Sequence, residues 1–267
     1  MYITGLGIHS YKALGIAKHM YPLEVISRLW AFLTLWIANI EIVTEGDENL
    51  KACEDKPTIL LYSHSSTIDP MAILTVTPLP TKFIFKKELL YMLPMIFPLS
   101  ALVGHIPIDR FSRDQAVSAI NKAAKRIKDN NTCVVISPEG TRSRDGTLQA
   151  FKKGPFHMAL QTKAMIAPVC VFGSYELWPV YQFLPNSGKI FLRYLPPFQV
   201  DDDANVDELL ERTRNCMVES MKTPPAKFEP LEGAGKCNHA IITLFVYASI
   251  IYCLYNYVVS GSFFRWF

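Results

Sequence analysis

The chain has 267 residues, enough for one large α/β domain or two small ones. Half of it is apolar and 19% is charged, which excludes a disordered chain and leans towards lipid, and its net charge of +3 is too small to mark a nucleic-acid binder. The charge is uneven: residues 82–153 carry 13 Lys/Arg against 6 Asp/Glu, residues 201–232 carry 4 against 9, and a basic middle of this kind is a segment that meets anions.

In chain order, Val25, Ile26, Leu29, Leu33, Trp36, Ile37 and Ile40 recur at helical spacing. The uncharged run 29–40 is too short to span a bilayer, so an in-plane helix sunk into the headgroup boundary fits it, with a core-packed amphipathic helix as the competing reading. From residue 58 onwards strand-like and helix-like pieces alternate. Strands are predicted at 58–62, 82–85, 106–108, 132–137, 165–172 and 189–194. Helices are predicted at 70–76, at the stripe Ala116, Val117, Ile120, Ala124 and Ile127, and at 154–163 and 207–221. Such alternation predicts a layered α/β domain with a mixed or parallel sheet flanked by helices.

Residues 240–259 are twenty in a row without a charge, about 30 Å as a helix and thus the thickness of a hydrocarbon core. They read as a C-terminal transmembrane helix, against which stands a buried core helix. Lys222, Lys227 and Lys236 precede the run and only Arg265 follows it, which puts the preceding domain on the cytosolic side. The six cysteines form no C-x-x-C and sit in apolar runs, as reduced, buried thiols do; the six histidines form no metal-binding set.

The chemistry concentrates at two strand ends. His64-Ser65-Ser66-Thr67-Ile68-Asp69-Pro70 follows the strand at 58–62. A carboxylate five residues from an imidazole, across a tight turn, can hold one ring N–H and leave the other nitrogen to take a proton from a hydroxyl. Asp69-Pro70 is also a good helix start, with Asp as N-cap, and that role is compatible with the first. Pro138-Glu139-Gly140-Thr141-Arg142-Ser143 follows the strand at 132–137 and supplies a backbone turn, a hydroxyl and an arginine fork suited to phosphate oxygens. Gly104 to Arg110 brings a second arginine to another strand end, and Lys152 and Lys153 follow the loop; together these predict one pocket for an anion.

These blocks, in this order, resemble the glycerolipid acyltransferase family, most closely its 1-acylglycerol-3-phosphate (lysophosphatidic acid) acyltransferases. The H-x₄-D block is matched by His64 and Asp69, the Ile-Asp-Arg block by Ile108, Asp109 and Arg110, the Pro-Glu-Gly-Thr-Arg-Ser block by residues 138–143, and a short Ala-Pro-Val block by Ala167, Pro168 and Val169. The resemblance covers about residues 57–195. With the terminal segments read from their own residues, the chain divides into an N-terminal membrane-associating helical segment at 1–45, an acyltransferase catalytic domain over 46–232 and the transmembrane segment at 237–267. The ends lie outside the resemblance. The resemblance implies transfer of an acyl group from acyl-CoA or acyl carrier protein to a lysophospholipid hydroxyl, with His64 as general base oriented by Asp69. Arg110, Glu139, Gly140, Thr141 and Arg142 would bind the acceptor, with Lys86 and Lys152 beside them, and Pro168 would shape the acyl-donor site. No metal or further cofactor is implied; the partners are the bilayer and the two lipid substrates. The membrane would be the endoplasmic reticulum in a eukaryote and otherwise an inner membrane. Pro107 and Ser137 depart from the family pattern beside the acceptor pocket, which leaves other lysophospholipids and glycerol 3-phosphate open as acceptors. A lipid hydrolase is the reading from another class, although no G-x-S-x-G elbow is present.

Overall fold

A computed structural model describes residues 22–88, 104–109, 113–130, 132–182 and 185–226. The long apolar runs become strands buried on both sides. Strand β2 (Thr58–Tyr62) is buried at all five positions, and so are β5 (Cys133–Ile136) and β6 (Met165–Phe172) along their lengths. With β1 (Ile40–Glu45), β3 (Thr81–Lys86), β4 (Ile106–Ile108) and β7 (Gly188–Tyr194) they form a seven-stranded sheet in the order β1-β7-β6-β2-β5-β3-β4. Every neighbouring pair is parallel except β6 and β7. Alternate residues of one strand face two different cores: Leu60 and Tyr62 one, Ile59 and Leu61 the other. That requires helices on both faces, the condition under which mostly parallel sheets occur.

One face is covered by α1 (Pro22–Ile37) and α2 (Asp69–Val76), the other by α3 (Arg113–Asn130), α4 (Gly154–Thr162) and α6 (Val206–Lys222). A short α5 (Ser174–Leu177) follows β6. Helix α6 starts where its sequence says it should: the Asn205 side chain accepts the Glu208 N–H, and Asp207 and Glu208 sit in the first turn. In α3 the buried stripe is Ala119, Ala123, Ala124 and Ile127, with Ile120 beside it; Val117, assigned to the apolar face, is instead exposed because the contact is centred about a quarter turn away.

The N-terminal helix differs most from expectation. Its inward face carries Glu24, Arg28, Ala31 and Leu35, so two charges are buried. Arg28 donates to the carbonyl oxygens of Thr77 (2.6 Å) and Leu79 (2.7 Å), and Glu24 pairs with Lys82 at the start of β3. Burial lowers the Arg28 guanidinium to about 10. Each charged hydrogen bond of this kind contributes roughly 1.5–3 kcal/mol, so the helix is pinned to the turn between α2 and β3. The apolar residues Leu29, Leu33 and Trp36 lie on the outer face, 44%, 42% and 57% exposed. Residues 40–45, grouped above with the helical segment, are the edge strand β1, paired with β7. Among the described residues no helix is long and apolar enough to cross a membrane; the run 240–259 lies outside them.

Candidate active site

The chain leaves β2 through α2 on one face of the sheet and leaves the neighbouring β5 towards α4 on the other. Where two adjacent parallel strands send their chains to opposite faces, a crevice opens beyond their C-terminal ends. The loops 63–68 and 137–153 border it.

His64 and Asp69 meet there. Asp69 is fully buried, and its Oδ2 accepts three hydrogen bonds of 2.8 Å, from His64 Nδ1 and from the backbone N–H groups of Ser65 and Ser66. It is the first residue of α2 rather than its cap: Ile68 holds the N-cap position, and the carboxylate is turned back over the preceding loop. A carboxylate oxygen that already takes two N–H groups acts as an acceptor, so the proton between it and His64 sits on Nδ1, and Nε2 carries a lone pair. The imidazole packs edge-on against Tyr62 and keeps 13% of its side chain exposed. Ser65 and Ser66 serve the turn: their hydroxyls bond to Ser174 Oγ and to the Trp178 carbonyl.

The loop after β5 is laced onto the histidine. Glu139 Oε1 accepts the His64 N–H and Oε2 the Gln149 N–H, both at 2.8 Å, and the Ser143 N–H donates to the His64 carbonyl at 2.8 Å. Glu139, expected to contact the acceptor, is therefore committed to holding the two loops together. Sequence alone gave no sign of this, since both partners are backbone groups. Burial pushes its carboxyl up to about 7, against the pull of the two donors. The folded state then holds more protons than the unfolded one between the ordinary value near 4.5 and 7, and stability from this group falls as pH rises through that window. Glu139→Gln is accordingly expected to close part of its stability gap to the parent between pH 5 and pH 7.5, by up to about 3 kcal/mol, measured by urea unfolding at both pH values. A gap independent of pH would show that burial does not govern this carboxyl.

Arg142 reaches across and donates from Nη1 to Thr67 Oγ1 at 2.6 Å, joining the two loops a third time. Thr141 is exposed on the same turn. Gly140 has φ +69°, and a Cβ there would lie 2.9 Å from Cδ, Cε and Nζ of Lys152, so the lysine side chain is laid over the Glu139–Arg142 turn. Lys86 ends β3 on the same edge of the sheet, 3.5 Å from Glu88. Pro168 is buried in β6 opposite Leu61, next to the residue whose carbonyl takes the Ser63 N–H. Arg110 lies outside the described residues. His105 belongs to the core: its Nδ1 accepts the Phe83 N–H at 3.1 Å, and burial, with Lys82 and Arg126 nearby, lowers it to about 4. Among the described residues no three His, Cys, Asp or Glu stand close enough to hold a metal ion.

The matches with known proteins fall on this same core. Residues 41–172 match the Acyltransferase family model. The chain is 33% identical to a 1-acyl-sn-glycerol-3-phosphate acyltransferase of Limnanthes douglasii, over 77% of this chain and 71% of that one. It is 30% identical to one of Saccharomyces cerevisiae, over 78% and 68%. The crystal structure of the 1-acyl-sn-glycerophosphate (LPA) acyltransferase PlsC from Thermotoga maritima superposes with a TM-score of 0.66 at 25% identity, covering 83% of this chain and 90% of that one. With the His64–Asp69 pair and the Glu139–Arg142 turn in place on that fold, the chain belongs to the glycerolipid acyltransferase family.

Proposed function

We propose that the protein transfers a fatty acyl group from acyl-CoA, or from acyl carrier protein, to the free hydroxyl of 1-acyl-glycerol 3-phosphate, forming phosphatidic acid. The observation that carries this reading is the 2.8 Å bond from His64 Nδ1 to Asp69, which leaves Nε2 as the base at the mouth of a crevice that also holds Arg142. The acceptor hydroxyl loses its proton to His64 Nε2 as its oxygen attacks the thioester carbonyl. The tetrahedral intermediate collapses with cleavage of the C–S bond, and the thiol leaves with the proton returned from His64. The substrate's own hydroxyl takes the place of a serine nucleophile, so no acyl-enzyme forms and no metal or cofactor is called for.

Arg142 and Lys152 supply the positive charge that a phosphate monoester needs, and the names of the relatives agree with such an acceptor. Access to the lipids is supported by the outward stripe Leu29, Leu33 and Trp36 on α1, an apolar face that fits an in-plane contact with the headgroup boundary. The uncharged run 240–259 adds a transmembrane anchor, with the catalytic domain on the cytosolic side and the endoplasmic reticulum as the membrane in a eukaryotic source.

The test is a panel of acceptors given to the detergent-solubilised protein with radiolabelled acyl-CoA. Label in phosphatidic acid with lysophosphatidic acid alone is the expected result. Label on lysophosphatidylcholine, -ethanolamine or -glycerol, or on glycerol 3-phosphate, would change the acceptor and keep the chemistry. Free fatty acid without acylated product would make the protein a hydrolase. Within this reading Arg142→Ala removes a charge-assisted contact to phosphate worth roughly 1.5–3 kcal/mol, so the acceptor KM is expected to rise about ten- to a hundredfold with little change in kcat.

A further inference from the structure

Resting on the reading of Arg142 as the acceptor's phosphate contact, we infer that Thr67 is the second half of that grip, fixing the Arg142 guanidinium and donating its own hydroxyl proton to the same phosphate. Arginine has five N–H donors and no acceptor. In the 2.6 Å contact between Arg142 Nη1 and Thr67 Oγ1, the hydroxyl oxygen therefore accepts, and its proton points elsewhere. Among the described residues that proton meets no acceptor. Thr67 is half-buried at the edge of the crevice, so an anionic oxygen can reach it.

Its place in the chain gives the contact its effect. Thr67 lies three residues after His64 and two before Asp69, in the loop that the Asp69 carboxylate ties down through Ser65 and Ser66. The guanidinium is thus referenced to the loop that carries the base, and the phosphate it holds is placed relative to His64 Nε2. A planar fork fixed at one nitrogen loses less freedom when it binds than a free side chain does, which is the advantage of a preorganised site. The remaining four N–H groups stay available for phosphate oxygens.

The experiment is steady-state kinetics of Thr67→Val, Thr67→Ser and Arg142→Ala with lysophosphatidic acid and an acyl-CoA, with urea midpoints recorded for each protein. Valine keeps the shape of threonine and removes the oxygen. Thr67→Val is expected to raise the acceptor KM roughly five- to tenfold, with kcat and the donor KM within about twofold. Thr67→Ser, which restores the hydroxyl, should return the KM to near the parent value. Adding Thr67→Val to Arg142→Ala should raise the KM by less than it does alone, since the shared contact is already gone. An unchanged KM in Thr67→Val beside a raised one in Arg142→Ala would overturn the inference and leave the phosphate role of Arg142 standing. A fall in kcat at constant KM, or a serine variant that behaves like valine, would also overturn it, making Thr67 a support of the His64 loop. An Arg142→Ala enzyme with the parent KM would remove the reading on which the inference rests.

Discussion

His64→Ala is expected to lower kcat roughly 10²–10⁴-fold, the usual loss on removing a general base, with both KM values largely unchanged. The variant should fold, because the bonds that place residue 64 belong to its backbone. Its N–H goes to Glu139 and its carbonyl receives the Ser143 N–H, and alanine keeps both. What is lost is Nε2, the Nδ1 bond to Asp69, whose Oδ2 keeps the N–H groups of Ser65 and Ser66, and the edge-on contact of the ring with Tyr62. The groups proposed to hold the phosphate, Arg142 and Lys152, both on the loop 137–153, are positioned through other residues and stay where they are. Single-turnover transfer of labelled acyl groups separates the chemical step from binding, and a variant within tenfold of the parent in that step would exclude His64 as the base.

The strands that build the crevice were the most legible part of the sequence. The runs TILLY, CVVI and MIAPVCVF are buried at every position, and apolar but for Thr58, because both faces of the sheet are covered, and a run bounded by turns marks such a strand without any periodicity. Strand β1 was not legible. It is an edge strand in which Glu41 and Thr44 interrupt the apolar residues, and Ile40 continues the helical spacing of α1, so the periodicity carries past the true end of the helix. The reversal of β7 against β6 left no mark either, because pairing direction is set by connections and not by composition.

The site divides in the same way. His64 and Asp69 are five residues apart, so their bond is a local matter that a pattern can report. The bonds from Arg142 to Thr67 and from the His64 N–H to Glu139 each join residues 75 apart, and those from Arg28 to Thr77 and Leu79 join residues 49 and 51 apart. The first two exist only once the sheet has brought β2 and β5 side by side, the last two only once α1 has packed against the turn between α2 and β3. The inward-facing Arg28 shows the consequence: its partners leave no mark in the sequence, and nothing in the spacing of the helix places this cation in the core.

Asp69→Asn is the second large effect: kcat should fall by about 10³-fold or more, because the aspartate sets both the tautomer and the charge on which His64 depends. Asparagine keeps one acceptor oxygen and gains an NH₂ group. If the oxygen takes the place of Oδ2, it still receives the N–H groups of Ser65 and Ser66, and the NH₂ falls at Oδ1, which is buried and has no partner among the described residues. Two unmet donors there cost about 1–3 kcal/mol. If the amide turns round, the NH₂ faces His64 Nδ1, which must then accept; the ring proton moves to Nε2, and the base is gone. In either orientation the imidazolium formed during transfer lacks its negative partner in a dry site, where that partner matters most. Because Asp69 acts through His64, the double variant His64→Ala/Asp69→Asn should be no slower than His64→Ala alone, whereas independent roles would multiply the two losses. A steep further drop in the double variant would show that Asp69 touches the reaction by a route of its own.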